Sequence, residues 1–192
     1  NRAIVASAPT LAWSRLGSAE PYLLSAFRVG QAKMSPDGRV LLRASRDGGA
    51  TWEPLTAPLA DPFAGLPVPQ PNHAGFHVGA SPAGTTVLMA CRFFMVDPGD
   101  PRWDDDAAGV VGADCLKADA QPGGGWERVA TYDFARHPDE WAIPCGPPLH
   151  LGGTRWIFPM ERHARAHVPE WLRRYHAFAV FSDDDGRTFG AP

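Results

Sequence analysis

Short apolar runs separated by turn residues organise this chain. Phe27-Arg28-Val29-Gly30 runs toward Ser35-Pro36-Asp37-Gly38, and the apolar run Arg39-Val40-Leu41-Leu42 follows. Phe76-His77-Val78-Gly79 echoes the first segment and leads through Ser81-Pro82-Ala83-Gly84 to Thr86-Val87-Leu88-Met89. A third version reads Pro148-Leu149-His150-Leu151, then Gly152-Gly153, then Thr154-Arg155-Trp156-Ile157-Phe158. Pro-Asp-Gly between two such runs marks a hairpin, because Pro presets one turn residue and Gly supplies a conformation that a Cβ forbids. The pattern predicts an all-β chain. Helix is expected only as one turn over Pro169–Tyr175, with Pro at its start.

A second repeat is sharper. Ser45-Arg46-Asp47-Gly48-Gly49-Ala50-Thr51-Trp52 returns as Ser182-Asp183-Asp184-Asp185-Gly186-Arg187-Thr188-Phe189. The shared positions are Ser45/Ser182, Asp47/Asp184, Gly49/Gly186, Thr51/Thr188 and the aromatic pair Trp52/Phe189. Ser and Asp side chains accept bonds from nearby backbone N–H groups and hold a tight turn, while the Gly permits it. Gly123-Gly124-Gly125-Trp126-Glu127 stands where a degenerate middle copy belongs. A recurring unit means a repeat architecture. Three units are expected, over about 1–62, 66–138 and 140–192, with insertions at roughly Val96–Ala120 and Glu161–Arg174. The first strand of the first unit is expected within Ala3–Trp13.

The eight-residue motif resembles the Asp-box, or BNR repeat, of the sialidase superfamily of β-propellers. That resemblance implies a sialidase-type propeller of which about three four-stranded blades, half of a six-bladed ring, are present. It places the motif on the hairpin between the third and fourth strands, away from the ligand site, so Asp47 and Asp184 are structural. Remaining blades are expected from a longer chain or a partner chain. The implied activity is hydrolysis of a sialic-acid or other acidic-sugar glycoside. The alternative is a non-catalytic propeller that binds glycan or protein.

Composition narrows the partners. The net charge of −3 offers no basic surface for nucleic acid, and no apolar run is long enough to span a bilayer. Gly and Pro, 20 of each, suit many short strands. Cys91, Cys115 and Cys145 contain no C-x-x-C and are expected as buried free thiols, with one disulfide as the alternative. No cofactor is expected, and no metal, although His163 and His167 have the spacing of ligands on a helix. Secreted relatives are common in the sialidase superfamily, and localisation stays open.

The candidate chemistry follows partly from repeat position. Arg28 and His77 are expected at matching inner-strand positions facing one cavity, with His77 touching substrate. Phe27-Arg28-Val29 resembles the Phe-Arg-Ile-Pro motif of sialidases, with Gly30 in place of Pro, which implies that Arg28 grips a substrate carboxylate. A guanidinium suits that task because it offers two parallel N–H bonds. Glu161 is a candidate general acid, with neighbouring Arg162 binding sugar hydroxyls from a loop over the pocket mouth. The resemblance also implies a Tyr nucleophile, and Tyr22, Tyr132 and Tyr175 match no nucleophile motif. An acid/base Asp is open among Asp61, Asp97, Asp100 and Asp104-Asp105-Asp106. Trp103, Trp141 and Trp171 lie near the insertions as sugar-stacking or packing residues.

Overall fold

The computed structural model describes residues 5–15, 18, 20–30, 39–55, 72–93, 110–119, 125–133, 140–164 and 168–190, with side chains omitted at 5–9, 72–76, 91–93, 110–111, 132–133 and 141. Among the described residues the strands form three antiparallel sheets. Sheet A holds β1 (Val5–Ser14), β2 (Tyr22–Gly30), β3 (Arg39–Ser45) and β4 (Glu53–Pro54), paired in chain order. Sheet B holds β5 (Asn72–Ala80), β6 (Thr86–Phe93), β7 (Val110–Ala118) and β8 (Glu127–Asp133), again in chain order. Sheet C holds β9 (Glu140–Pro144), β10 (Leu149–Gly152), β11 (Arg155–Ala164) and β12 (His176–Ser182). Both β9 and β10 lie along the same edge of β11, so they act as one strand interrupted at Cys145-Gly146-Pro147-Pro148. The one helical element described is a 3-10 turn at Glu170–Leu172 preceded by Pro169, as the sequence predicts. This is the expected all-β architecture of stacked four-stranded sheets, compatible with consecutive propeller blades.

Alternation explains the packing. Successive side chains on a strand point to opposite faces. In β2 and β3 the even-numbered Tyr22, Leu24, Ala26, Val40, Leu42 and Ala44 are buried against sheet B. Sheet B is covered on both faces. Its Leu88, Ala90, Leu116 and Ala118 join the core with sheet A, and its Val87, Met89, Ala113 and Cys115 join a second core with Trp156, Phe158, Met160 and Val180 of sheet C. Ser14 and Thr86 hydroxyls, 2.8 Å apart, tie A to B as well. The outward faces of A and C keep large apolar groups exposed, among them Leu11, Trp13, Leu149 and Phe181.

Both eight-residue motifs fold as the same turn after the third strand of their sheet. Ser45 Oγ donates to Asp47 Oδ1 (2.8 Å) and accepts from the Gly49 N–H (2.8 Å). Asp47 accepts from the Thr51 N–H (2.9 Å) and Thr51 Oγ1 (2.5 Å). Ser182, Asp184, Gly186 and Thr188 repeat all four bonds, at 2.8, 2.9, 2.8 and 2.6 Å. Gly49 and Gly186 have φ of 100° and 77°, which L side chains rarely adopt. The position before each is left-handed too, occupied by Gly48 (72°) in the first motif and by Asp185 (60°) in the second.

Three expectations are corrected. The segment Val96–Ala120 contains strand β7, and Glu161–Ala164 continues β11, so neither region is wholly an inserted loop. The Phe-x-Val-Gly echo pairs unlike elements, because Arg28 lies on the second strand of sheet A and His77 on the first strand of sheet B. Cys145 is exposed, whereas Cys115 is the buried free thiol that was expected.

Candidate functional site

The stack has two unlike ends. Tight connections and both motif turns share one end, since Ser14 pairs with Tyr22, Leu23 with Ser45, and Trp156 with Ser182. At the other end the chain leaves and returns through longer connections, between Phe93 and Val110 and between Ala164 and His176. The candidate side chains lie toward that second end.

Strand register gives the true equivalences. Arg28 lies five residues beyond Leu23, the partner of Ser45, and Glu161 lies five residues beyond Trp156, the partner of Ser182. Arg28 and Glu161 therefore hold the same position on the second strands of sheets A and C, each facing away from the preceding sheet in chain order. For Arg28 the next sheet is B, and the side chain is enclosed with 1 % exposure. His77 faces the other way. Its neighbour Val78 packs toward sheet A, while the His77 ring bonds to the Pro144 carbonyl of sheet C. Burial depresses the His77 pKa, and the bond to Pro144 partly opposes it. Arg28 and His77 thus occupy different intersheet spaces and share no cavity.

Glu161 sits on the outward face of sheet C, beyond which no sheet is described. Its Oε1 lies 3.1 Å from His163 Nε2, two residues along the same face of β11. The Tyr175 ring meets His163 edge-on, with centroids 5.0 Å apart and planes at 83°. Cys145 is nearby. Burial and the Glu161 charge both raise its pKa, so its thiol stays protonated. Arg162, adjacent to Glu161 in sequence, projects from the opposite face. There it pairs with Glu140 (3.5 Å) and lies 5.3 Å over the Phe178 ring. The expected Glu161–Arg162 partnership is therefore replaced by Glu161–His163, and His163 is on a strand, where a four-residue spacing to a second ligand has no helical meaning. Among the described residues no group of three or more His, Cys, Asp or Glu could hold a metal. The Glu-x-His signal at β-strand period was legible once this segment is read as strand.

Other candidates resolve as structure or fall outside. Tyr22 is a core residue whose phenol is pushed up to about 12 by burial, against a bond to Ser14 and the Arg46 charge. Trp171 is 74 % exposed on the 3-10 turn, near the connection that carries Tyr175. Asp61, Asp97, Asp100, Asp104, Asp105, Asp106, Trp103 and His167 lie outside the described residues, as do the side chains of Tyr132, Trp141 and Cys91.

No family model matches the chain, and no curated protein matches it. Solved structures do. The chain superposes on a protein of unknown function from Dyadobacter fermentans DSM 18053 with TM-score 0.64 at 16 % identity, over 99 % of this chain and 54 % of that one. It superposes on a Trypanosoma rangeli sialidase, solved in complex with sialic acid, with TM-score 0.58 at 12 % identity, over 96 % of this chain and 30 % of that one. These likenesses show a sialidase-like fold. The chain spans about half of the first protein and under a third of the second.

Proposed function

We propose that this chain forms three blades of a sialidase-type β-propeller that acts on a glycoside of an acidic sugar, the two motifs being Asp-boxes. The blades are the units over about 1–62, 66–138 and 140–192, with further blades supplied by a longer chain or a partner. The exposed apolar groups on the outward faces of sheets A and C support such additions. The observation that carries the functional reading is the Glu161–His163 pair with Tyr175 against it, at the end opposite the Asp-boxes. The partly exposed Glu161 carboxyl can give a proton to a leaving oxygen with the His163 ring beside it, and exposed Tyr175 and Trp171 offer ring faces to a sugar.

A second reading, a propeller that binds glycan without turnover, draws on two observations. Arg28 is enclosed, and Arg162 is engaged with Glu140. Neither stands ready as a carboxylate clamp.

The test is saturation-transfer NMR of the protein with sialic acid and with a neutral hexose, beside turnover of a fluorogenic sialoside panel. Preferential contact with sialic acid, lost in Glu161→Gln and His163→Ala, supports the site. Equal behaviour of wild type and both variants toward either sugar removes it.

A further inference from the structure

We infer that the connection between β11 and β12 docks on the surface of an anionic phospholipid bilayer, with Trp171 and Leu172 seated at the headgroup level and Arg174 on the phosphates. The inference leaves the Glu161–His163–Tyr175 cluster as it stands and takes only Trp171 from the sugar reading.

The turn is built to face outward. Pro169 leads into the 3-10 turn Glu170–Leu172, and none of its three residues is buried. Trp171, at 74 % exposure, is the most exposed large apolar side chain described, and Leu172 beside it stands at 48 %. A lone exposed Leu is ordinary, whereas an indole left in water wastes the largest apolar surface a residue carries. Frayed segments bare such groups by accident, but this turn is braced. The Leu172 N–H donates to the Pro169 carbonyl at 2.8 Å, the Arg173 N–H to the Glu170 carbonyl at 3.1 Å, and Arg173 Nε to the Val168 carbonyl at 2.9 Å. A further stacked sheet would lie on the outward face of sheet C. The turn sits past the strand ends instead, in the connection from Ala164 to His176.

The charge beside it matches a lipid headgroup. The segment Val168-Pro169-Glu170-Trp171-Leu172-Arg173-Arg174-Tyr175-His176 sets two arginines against one glutamate, in a chain of net charge −3. Arg174 Nη1 lies 3.4 Å and 3.3 Å from the carbonyls of Trp171 and Arg173, and among the described residues no carboxylate pairs with it. Those long bonds stay within its own turn. They exchange readily for phosphate oxygens, which a guanidinium takes through parallel N–H bonds. Trp seeks the headgroup level because its ring is apolar and its N–H polar, and Leu reaches the acyl boundary below. A bilayer interface offers both layers within reach of residues 171–174. The rest of the chain is acidic and is repelled by the same surface, so the field also orients the protein with this end down. Such docking lies on a membrane and does not span it.

The test is sedimentation with vesicles of phosphatidylcholine carrying about one-third phosphatidylserine, beside vesicles of phosphatidylcholine alone. Partition to the anionic vesicles should be roughly tenfold stronger or more, and should weaken as salt rises. Arg174→Glu and Trp171→Ala should each weaken it roughly tenfold or more at unchanged melting temperature, since both side chains are exposed. Arg174→Lys should keep most of it. In the wild type, amide exchange at residues 170–174 should slow on vesicle binding, with no change at Ala142, inside the B–C core. Equal partition to both vesicles, full binding by Trp171→Ala or Arg174→Glu, or slowed exchange confined to other segments would overturn the proposal. Release of the bound protein by free sialic acid would overturn it as well, by returning Trp171 to the sugar.

Discussion

Asp185 and Trp156 are joined by a 3.1 Å bond from the indole N–H to the carboxylate, and the same carboxylate reaches into the neighbouring sheet. Its second oxygen accepts from Thr85 Oγ1 at 2.8 Å and lies 3.6 Å from the ammonium of Lys117, whose side chain is 6 % exposed. Lys117 also meets Asp119 at 3.3 Å. A residue of the second eight-residue turn thus latches sheet C to sheet B. Its backbone is left-handed, where the first motif has Gly48 with open space around it. Asp185→Asn and Asp185→Gly should both destabilise by roughly 1–3 kcal/mol, the range for leaving a buried polar partner unmatched. Urea unfolding measures it. A Gly variant more stable than wild type would mean that relief of the backbone outweighs the latch.

The carboxylates of Asp47 and Asp184 in the two repeated turns should make the protein acid-sensitive. Bonds from the Thr51 hydroxyl and N–H hold Asp47 at about 2. Partial burial opposes ionisation of Asp184, but the Thr188 bonds prevail and hold it at about 2 as well. Both values lie below the ordinary carboxylate range, so the stabilisation is complete above about pH 4 and is lost as pH falls toward 2. Melting temperature followed from pH 5 to 2 should fall less steeply for Asp47→Asn combined with Asp184→Asn than for wild type. Parallel curves would locate the acid sensitivity elsewhere.

Gly79 of β5 packs directly against Pro148 in the β9–β10 interruption. A Cβ there would sit 2.1 Å from the Pro148 carbonyl oxygen and 2.9 Å from Pro148 Cγ. Backbone cannot yield as a flexible side-chain tip can, so Gly79→Ala should cost about 1–3 kcal/mol or more. Thermal melting of that variant beside Gly152→Ala, which meets nothing within 4 Å but must hold a φ of 104°, separates steric from conformational cost. Full stability of Gly79→Ala would contradict the packing of sheet B on sheet C.

The 192-residue chain by itself should not hydrolyse a sialoside. Catalysis needs a nucleophile, a proton donor and a carboxylate clamp fixed to within about 0.5 Å of productive geometry. Here Arg28 is enclosed, Arg162 is paired, and Tyr22 is held in the core. A fluorogenic assay on the purified monomer decides it. Sustained turnover would place the catalytic centre among residues not assigned a role.

Local chemistry was legible and relative placement was not. The two repeated turns could be read because Ser, Asp, Gly and Thr make their bonds within one eight-residue segment. The strand β1 was anticipated by spacing, since the short span from Gly38 to Ser45 leaves room for one strand and the unit's first must come from upstream. The Arg28–His77 match failed because two strands that both carry Phe-x-Val-Gly look alike whichever rank they hold in their sheets. Only the pairing of Leu23 with Ser45 and Trp156 with Ser182 reveals that Arg28 corresponds to Glu161. Glu161 and Arg162 were read as loop neighbours. On a strand, adjacency means separation, and the partner of Arg162 proved to be Glu140, which a sequence window does not reach. Asp185 was hidden in an acidic run, since Lys117 and Trp156 are distant in sequence.

Sheet B has lost the usual distinction between an inside and an outside. Along β6 and β7 the alternation that elsewhere sorts apolar from polar residues instead sorts one neighbour from the other, Leu88 and Leu116 addressing sheet A, Met89 and Cys115 addressing sheet C. A one-residue slip of β6 would therefore not expose a greasy face to water. It would misdeliver every side chain to the wrong neighbour, spoiling both joints at once, so the middle sheet makes the three units stand or fall together.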